Sequence, residues 1–181
     1  MPRTCFVTVG TTIFEDLITA VLSEKTRKSL KKIGIDQVII QCGSGLSITN
    51  FLPEGLKAED AGCFVGEDGL KIEFFRYKKS IQEEMKSADL IIGHAGAGTA
   101  LEVLKLHKPM IAVINDKLMD NHQTELADRL SELGHLIRTV PSQLHEALLN
   151  DQLFKPKPFE HSPPNRLSNY LTEKLGYINI E

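Results

Sequence analysis

The sequence has no long apolar run. No stretch approaches the ~20 residues that a membrane-spanning helix requires. The segment before Gly10 also has no apolar core long enough for a signal peptide. We therefore expect that, if the chain works at a membrane, another molecule brings it there.

Cysteine is scarce, and its pattern argues against several kinds of site. Cys5, Cys42 and Cys63 are odd in number and form no C-x-x-C pair. Cys5 and Cys42 lie in apolar, strand-like runs, which predicts small buried side chains in a reducing, cytoplasmic compartment. The sequence also has no D-x-D motif, so a metal ion clamped on a diphosphate has no sequence support. We expect no metal site and no cofactor.

Positive charge is not in excess. The 181 residues include 21 Lys and Arg against 24 Asp and Glu, a net charge of -3. Nucleic-acid binding usually needs a basic surface, so we expect no nucleic-acid partner. The length predicts one domain with room for an extension.

Short apolar runs alternate with helical patterns along most of the chain. This alternation predicts a Rossmann-like α/β fold, an open parallel sheet with helices on both faces. Residues 47–69 show no clear period and are expected to be irregular. The predicted strands cover residues 5–9, 37–42, 70–75, 90–93, 110–114 and 136–139, and the predicted helices cover residues 14–33, 80–88, 99–107, 122–133 and 142–149.

The pattern changes near residue 154. Residues 1–153 are predicted to form a nucleotide-sugar-binding domain. Residues 154–181 are predicted to form a proline-rich, extended linker followed by a helix over residues 167–175.

Candidate ligand residues fall where predicted strands end. Gly10, Gly43, His94 and Asn115 follow four of the apolar runs. Parallel sheets bind ligands at the carboxyl ends of their strands, so these positions should converge on one edge.

The segment from His94 to Glu102 is the strongest of these candidates. A strand, a glycine-rich turn and a helix start together offer backbone N–H groups to a phosphate. Thr99 can add a hydroxyl, and the Glu102 carboxylate can accept the hydroxyls of a ribose. Thr99 and Glu102 also match a capping box that needs no ligand. His94 is either a neutral hydrogen-bond donor to phosphate or a strand-end histidine tied to backbone.

Three other turns are weaker candidates. The turn Gly10-Thr11-Thr12 suits a phosphate but also suits an ordinary threonine-capped helix start. Gly43-Ser44-Gly45 begins a dinucleotide fingerprint, but Ile48 stands at the third glycine position, so nicotinamide binding has little support. Asn121, His122 and Gln123 can bind sugar hydroxyls or simply begin a polar helix.

Taken together, these motifs resemble one family. His94–Glu102, followed by Lys108-Pro109 and residues 118–123, closely resembles the cytosolic catalytic subunit of the eukaryotic UDP-N-acetylglucosamine (UDP-GlcNAc) transferase acting on dolichol-diphosphate-GlcNAc. Residues 6–12 and 155–159 also look like that family, especially its fungal members. More widely, the chain resembles the donor-binding C-terminal half of GT-B glycosyltransferases, such as the bacterial peptidoglycan GlcNAc transferase.

The resemblance implies roles for individual residues. In that superfamily the histidine and the small residues at the helix start meet the diphosphate, the glutamate takes the ribose, and the downstream glutamine takes the donor sugar. The implied catalytic residues are His94 and Glu102. The implied donor-binding residues are Gly10, Thr11, Thr12, His94, Gly96, Ala97, Gly98, Thr99, Glu102, Asn121, His122 and Gln123.

The resemblance also implies a reaction and partners. GlcNAc would pass from UDP-GlcNAc to dolichol-diphosphate-GlcNAc with inversion, giving a β-1,4 link, at the cytosolic face of the endoplasmic reticulum. A membrane-anchored partner subunit would supply the acceptor-side domain and receive the C-terminal helix. The general base is not placed; His94, His122 or the partner could supply it.

Other functions remain open at this point. The chain could be a non-catalytic UDP-sugar-binding module or a small transferase that acts alone as a homodimer. A dehydrogenase is a more distant possibility.

Overall fold

A computed structural model describes residues 3–45, 47–53, 61–117 and 121–159. These residues form one seven-stranded sheet of order β3-β4-β2-β1-β5-β6-β7. The strands are β1 (Arg3–Thr8), β2 (Ile35–Gln41), β3 (Ala61–Val65), β4 (Lys71–Phe75), β5 (Leu90–His94), β6 (Met110–Val113) and β7 (Ile137–Thr139). The helices are α1 (Glu15–Leu22), α2 (Glu24–Lys32), α3 (Gln82–Ser87), α4 (Ala97–Lys105), α5 (Asn121–Glu132) and α6 (Leu144–Ala147), with 3-10 turns at Ser47–Phe51 and Pro141–Gln143.

The centre of the sheet is parallel and buried on both faces. The buried residues of β1, β5 and β6 are mostly apolar, as expected where helices cover both sides. One apolar cluster packs α1, α2 and α6 on one face, and a second packs α3, α4 and α5 on the other. The predicted open sheet with helices on both faces is confirmed.

One edge of the sheet differs from the prediction. Strand β3 runs antiparallel to β4, in a region that we expected to be irregular. Its residues alternate between exposed and half-buried. The Phe74 ring occupies the space that a side chain at Gly62 would need. The strand is short and all but one of its residues are apolar, so its sequence shows no alternation of apolar and polar residues that would predict a strand.

Three helix predictions need correction. The predicted helix over residues 14–33 is two helices, because Ser23 ends α1 and its hydroxyl accepts a hydrogen bond from the Thr26 N–H in α2. The predicted helix over residues 80–88 is the shorter α3, which begins at Gln82 after the N-cap residue Ile81 and has no side-chain cap. Residues 142–149 contain a 3-10 turn before the short α6.

The described part of the proline-rich segment lies against the domain. The Lys157 N–H donates to the Gly134 carbonyl at 2.9 Å, and the His135 ring bonds the Lys157 carbonyl at 3.0 Å. Phe159 packs edge-on against His135, with ring centroids 5.4 Å apart. The predicted helix over residues 167–175 lies outside the described residues, and the boundary at residue 153 stays a prediction. No described helix is both long enough and apolar enough to cross a membrane.

Candidate functional site

The carboxyl ends of β1 and β5 bring two predicted site residues together. The strands are parallel neighbours, and Thr8 pairs with Gly93. The chain therefore leaves both strands at the same level, and the Gly10 turn faces His94. Two segments 84 residues apart in sequence meet as the prediction required.

The His94 imidazole is held between two glycines. A Cβ atom built on Gly10 would lie 2.3 Å from Cε1 of the ring, and one built on Gly96 would lie 2.3 Å from Nε2. Gly10 also has a φ of +63°, a conformation that disfavours other residues. Each glycine therefore provides the space that the ring occupies.

The environment of His94 favours the neutral imidazole. Burial lowers the pKa of His94 below its ordinary value, and the Thr8 backbone offsets this only in part. Its Nδ1 atom is buried and has no hydrogen-bond partner among the described residues. The nearby N-terminus of α4 would further disfavour a cation. The Thr8 backbone still acts on the ring, so the backbone-tied and the ligand-binding interpretations of His94 both stay predictions.

Helix α4 begins earlier than predicted, and its first turn is uncapped. Gly96 is the N-cap residue, with no side-chain hydrogen bond, and the first helical backbone bond runs from the Ala100 N–H to the Gly96 carbonyl at 3.0 Å. The N–H groups of Ala97, Gly98 and Thr99 therefore have no acceptor within the helix. A Cβ on Gly98 would meet no atom within 4 Å, so the space beside this turn is open. The arrangement suits an anion.

The alternative interpretation of Thr99 and Glu102 as a capping box is wrong. Thr99 lies inside α4 as its third residue, and Glu102 lies one turn further along. The Glu102 side chain is exposed, and its carboxylate makes no hydrogen bond or ion pair within the part of the chain that the structure describes. Thr99 and Glu102 share a helix face by their spacing.

The third predicted group is placed only by its backbone. Asn121, His122 and Gln123 form the first turn of α5, which follows β6 in the chain. Before this turn, Lys117 forms an ion pair with Asp16 at 2.7 Å, joining the end of β6 to the start of α1. Whether the three residues bind a sugar stays a prediction.

The sequence prediction missed two polar residues beneath the Gly10 turn. Thr8 and Gln41 are buried and hydrogen-bonded to each other and to Gly10. Each is the last residue of its strand and directly follows a run of three apolar residues, 5–7 in β1 and 38–40 in β2. That break in the apolar run was the available signal.

The site lies along an open edge of the sheet. A cavity of about 670 Å³ lies against β3, β4 and α3, is lined in part by Cys63, Glu73 and Glu84, and includes none of the predicted donor residues. No cluster of three potential metal ligands occurs among the described residues.

Comparisons with known proteins show the family to which the chain belongs. The sequence matches the family described as "Glycosyltransferase family 28 C-terminal domain" over residues 4–173. It is 34% identical over 184 residues to the "UDP-N-acetylglucosamine transferase subunit ALG13" of Saccharomyces cerevisiae, covering 89% of this chain and 91% of that protein. It is 42% identical over 144 residues to the human protein of the same name, covering 76% of this chain but only 12% of that protein. The chain therefore spans a small part of the human relative's length.

Solved structures show the same fold. An "NMR solution structure of ALG13" matches with a TM-score of 0.72 and 30% identity, covering 97% of this chain and 98% of that one. The crystal structure of Acinetobacter baumannii MurG matches with a TM-score of 0.60 and 21% identity, covering 98% of this chain and 50% of that one.

Proposed function

Because this chain belongs to the family of glycosyltransferase family 28 C-terminal domains, we propose that it is the donor-binding catalytic subunit of a two-subunit UDP-GlcNAc transferase. The observation that carries this proposal is the uncapped start of α4 with His94 set between Gly10 and Gly96. Such a start offers several N–H groups and the positive end of a helix dipole to a diphosphate.

We assign the donor to this edge in three parts. The diphosphate lies at the α4 start, against Gly96–Thr99 and the neutral His94. The ribose hydroxyls donate to the exposed Glu102 carboxylate, which has no partner of its own in the described chain. The sugar lies toward the start of α5, where Gln123 is the favoured contact and Asn121 and His122 are its neighbours. The Gly10–Thr12 turn faces the cleft.

These groups suit a displacement that needs no metal ion at the diphosphate. The acceptor 4-hydroxyl forms a bond to the anomeric carbon while the bond to the diphosphate oxygen breaks, and the electron pair leaves with UDP. The N–H groups of α4 stabilise the charge that develops on that oxygen. A base must take the hydroxyl proton. Burial makes His94 a weak base, so we assign the base to the partner subunit.

The open edge of the sheet at the proposed donor site is an argument for a second domain that covers it. The chain corresponds to half of the length of MurG, and its relatives are named as subunits. An open site of this kind needs a second surface to exclude water and hold an acceptor. We propose that a membrane-anchored subunit supplies that surface at the endoplasmic reticulum and presents dolichol-diphosphate-GlcNAc as the acceptor. Residues 160–181 are its proposed docking segment.

The test is a transfer assay with UDP-GlcNAc and a lipid-diphosphate-GlcNAc acceptor. The chain is assayed alone, with membranes carrying the presumed partner, and with the same membranes lacking it. We expect product only when both components are present. Product from the chain alone would identify a self-sufficient transferase, and UDP-GlcNAc binding without product in any mixture would identify a binding module.

A further inference from the structure

The strand ends beneath the Gly10 turn hold a buried hydrogen-bonded pair. Thr8 ends β1 and Gln41 ends β2, and the two residues lie opposite each other in the sheet register. Thr8 is fully buried and Gln41 is only 4% exposed. The Thr8 hydroxyl donates its proton to Oε1 of Gln41. Buried polar groups of this kind are costly unless all are satisfied.

Thr8 and Gln41 both form hydrogen bonds to the backbone of Gly10. The Gly10 N–H donates to Oγ1 of Thr8 at 3.0 Å, and Nε2 of Gln41 donates to the Gly10 carbonyl at 2.8 Å. The backbone N–H and C=O groups of Gly10 are thus both hydrogen-bonded by the side chains of Thr8 and Gln41. Nε2 of Gln41 also lies 3.5 Å from the Arg76 carbonyl, at the end of β4. We call Thr8 and Gln41 the bracket.

The bracket has one workable arrangement. The Thr8 hydroxyl has a single hydrogen, which it donates in the hydrogen bond to Gln41. Its oxygen can therefore only accept the hydrogen bond from the Gly10 N–H. Reversing the Gln41 amide would set its oxygen against the Gly10 carbonyl oxygen. Because every member is satisfied in only one orientation, the network fixes the turn rather than merely filling space.

The position of Gly10 in turn constrains the α4 start. The His94 ring lies against Gly10 on one side and Gly96 on the other. We propose that Thr8 and Gln41 are positioning residues that hold the Gly10 turn, and through His94 the start of α4, in the geometry that binds a nucleoside diphosphate. This inference rests on the proposed donor site.

The experiment measures UDP binding to the full 181-residue chain by calorimetry. Thr8→Val keeps the shape but removes the hydroxyl, and Thr8→Ser restores the hydroxyl. Ser29→Ala is the matched control, because the buried Ser29 hydroxyl makes one hydrogen bond to the His145 carbonyl and Ser29 belongs to α2 rather than to the strand ends. We expect Thr8→Val to weaken UDP binding about tenfold, because the hydroxyl that bonds both Gln41 and Gly10 is lost and the Gly10 turn is no longer held in place. We expect Thr8→Ser and Ser29→Ala to bind within about twofold of the unchanged chain.

The outcomes separate this inference from the proposed function. An unchanged chain that does not bind UDP would refute the donor site itself. Binding by the unchanged chain with equal affinity in Thr8→Val would refute the bracket alone. If Thr8→Val does not fold, Gln41→Asn replaces it, since its amide is one methylene too short to reach Gly10, and unchanged affinity there is equally decisive against the bracket.

Discussion

Two helix starts in this molecule are built in opposite ways. At α2, the Ser23 hydroxyl accepts from the Thr26 N–H at 3.4 Å, and Glu24 places a carboxylate in the first turn. At α4, Gly96 offers no side chain and the first turn has no acidic residue. At the first start, the side chains of the chain itself satisfy one N–H group and the helix dipole. The second leaves both for a ligand.

The difference teaches where this chain has given up local stability. The N-cap residue of α4 is glycine, and glycine in place of a capping Ser or Thr costs about a few tenths of a kcal/mol. A glycine in the first turn adds a further cost in backbone entropy. At α4 the space that a cap would fill is taken instead by the His94 ring, which lies against Gly96. The loss is therefore specific to the site and not a general weakness of the fold.

The largest effect on UDP binding should come from filling the space between Gly96 and the His94 ring at the start of α4. Gly96→Ala places a Cβ atom 2.3 Å from the His94 ring, which cannot retreat because Gly10 lies behind it. We expect UDP binding to weaken by roughly two orders of magnitude, because overpacking of ~1–3 kcal/mol displaces the ring or the helix start. Calorimetry with UDP measures this.

A double variant provides the control for Gly96→Ala. His94→Ala removes the ring that the new methyl group meets. Folding stability, followed by urea denaturation, should then be lowered less by Gly96→Ala than it is when the ring is present. Equal losses in the two backgrounds would contradict the packing that we describe.

The next largest effect should come from a substitution that makes the first turn of α4 resemble that of α2. Gly98→Asp puts a carboxylate into the first turn at a position with open space around it. We expect folding stability to rise by about 0.5 kcal/mol or more from the dipole and from loss of glycine. UDP binding should weaken about tenfold or more through charge repulsion.

The neutral counterpart separates these two effects. Gly98→Ala should stabilise the chain by up to about 1 kcal/mol, without charge repulsion against UDP. Urea denaturation and calorimetry on both variants give the comparison. Stability and affinity that move in the same direction in Gly98→Asp would argue against an anion site at this turn.

One turn further into α4, Glu102→Gln tests the assignment of the ribose. The amide keeps the size of the exposed side chain, so folding stability should change by less than about 0.5 kcal/mol. UDP binding should weaken about tenfold, the loss expected for a charge-assisted hydrogen bond. The discriminating ligand is inorganic diphosphate, whose affinity should not fall with Glu102→Gln.

The opposite side of the comparison is tested at α2. Ser23→Ala removes the hydroxyl that caps α2 and also bonds the Ala20 carbonyl at the end of α1. We expect a loss of about 1 kcal/mol in folding stability with no change in UDP affinity. A change in affinity would show that the two helix starts are coupled.

The smallest expected effect is a change in how folding stability depends on pH. Burial holds the pKa of His94 below its ordinary value of 6.5, so the unfolded chain binds this proton more readily than the folded chain does. The stability that the neutral ring contributes is complete above pH 6.5 and falls as the pH drops toward the lowered pKa. Urea denaturation between pH 7 and pH 5 should show a shallower loss in His94→Gln than in the unchanged chain. Parallel curves would mean that His94 titrates normally.

The centre of the fold was predictable because its signal is local. Residues 5–7, 90–92 and 110–113 are short apolar runs within β1, β5 and β6, and parallel strands buried on both faces have that appearance. Strand β3 was missed because an edge strand that alternates around a glycine has little apolar periodicity.

The start of α4 could not be placed from sequence because two local patterns compete there. Thr99 and Glu102 match a capping box, and Gly96 matches a glycine N-cap. The choice depends on the His94 ring beside Gly96, which is a contact of the folded chain. Thr8 and Gln41 were missed for a related reason, since their partners lie on neighbouring strands and not in neighbouring sequence.

The order of the strands has a consequence for biosynthesis. Strand β1 carries the Gly10 turn, yet its other neighbour β5 begins at Leu90, and the Thr4 N–H bonds the Asp89 carboxylate 85 residues later. Because the ribosome synthesises the chain from its N-terminus, one edge of β1 stays unpaired until the residues of β5 have emerged. The proposed nucleotide site is therefore among the later features to assemble, and the nascent chain exposes an apolar strand edge in the meantime.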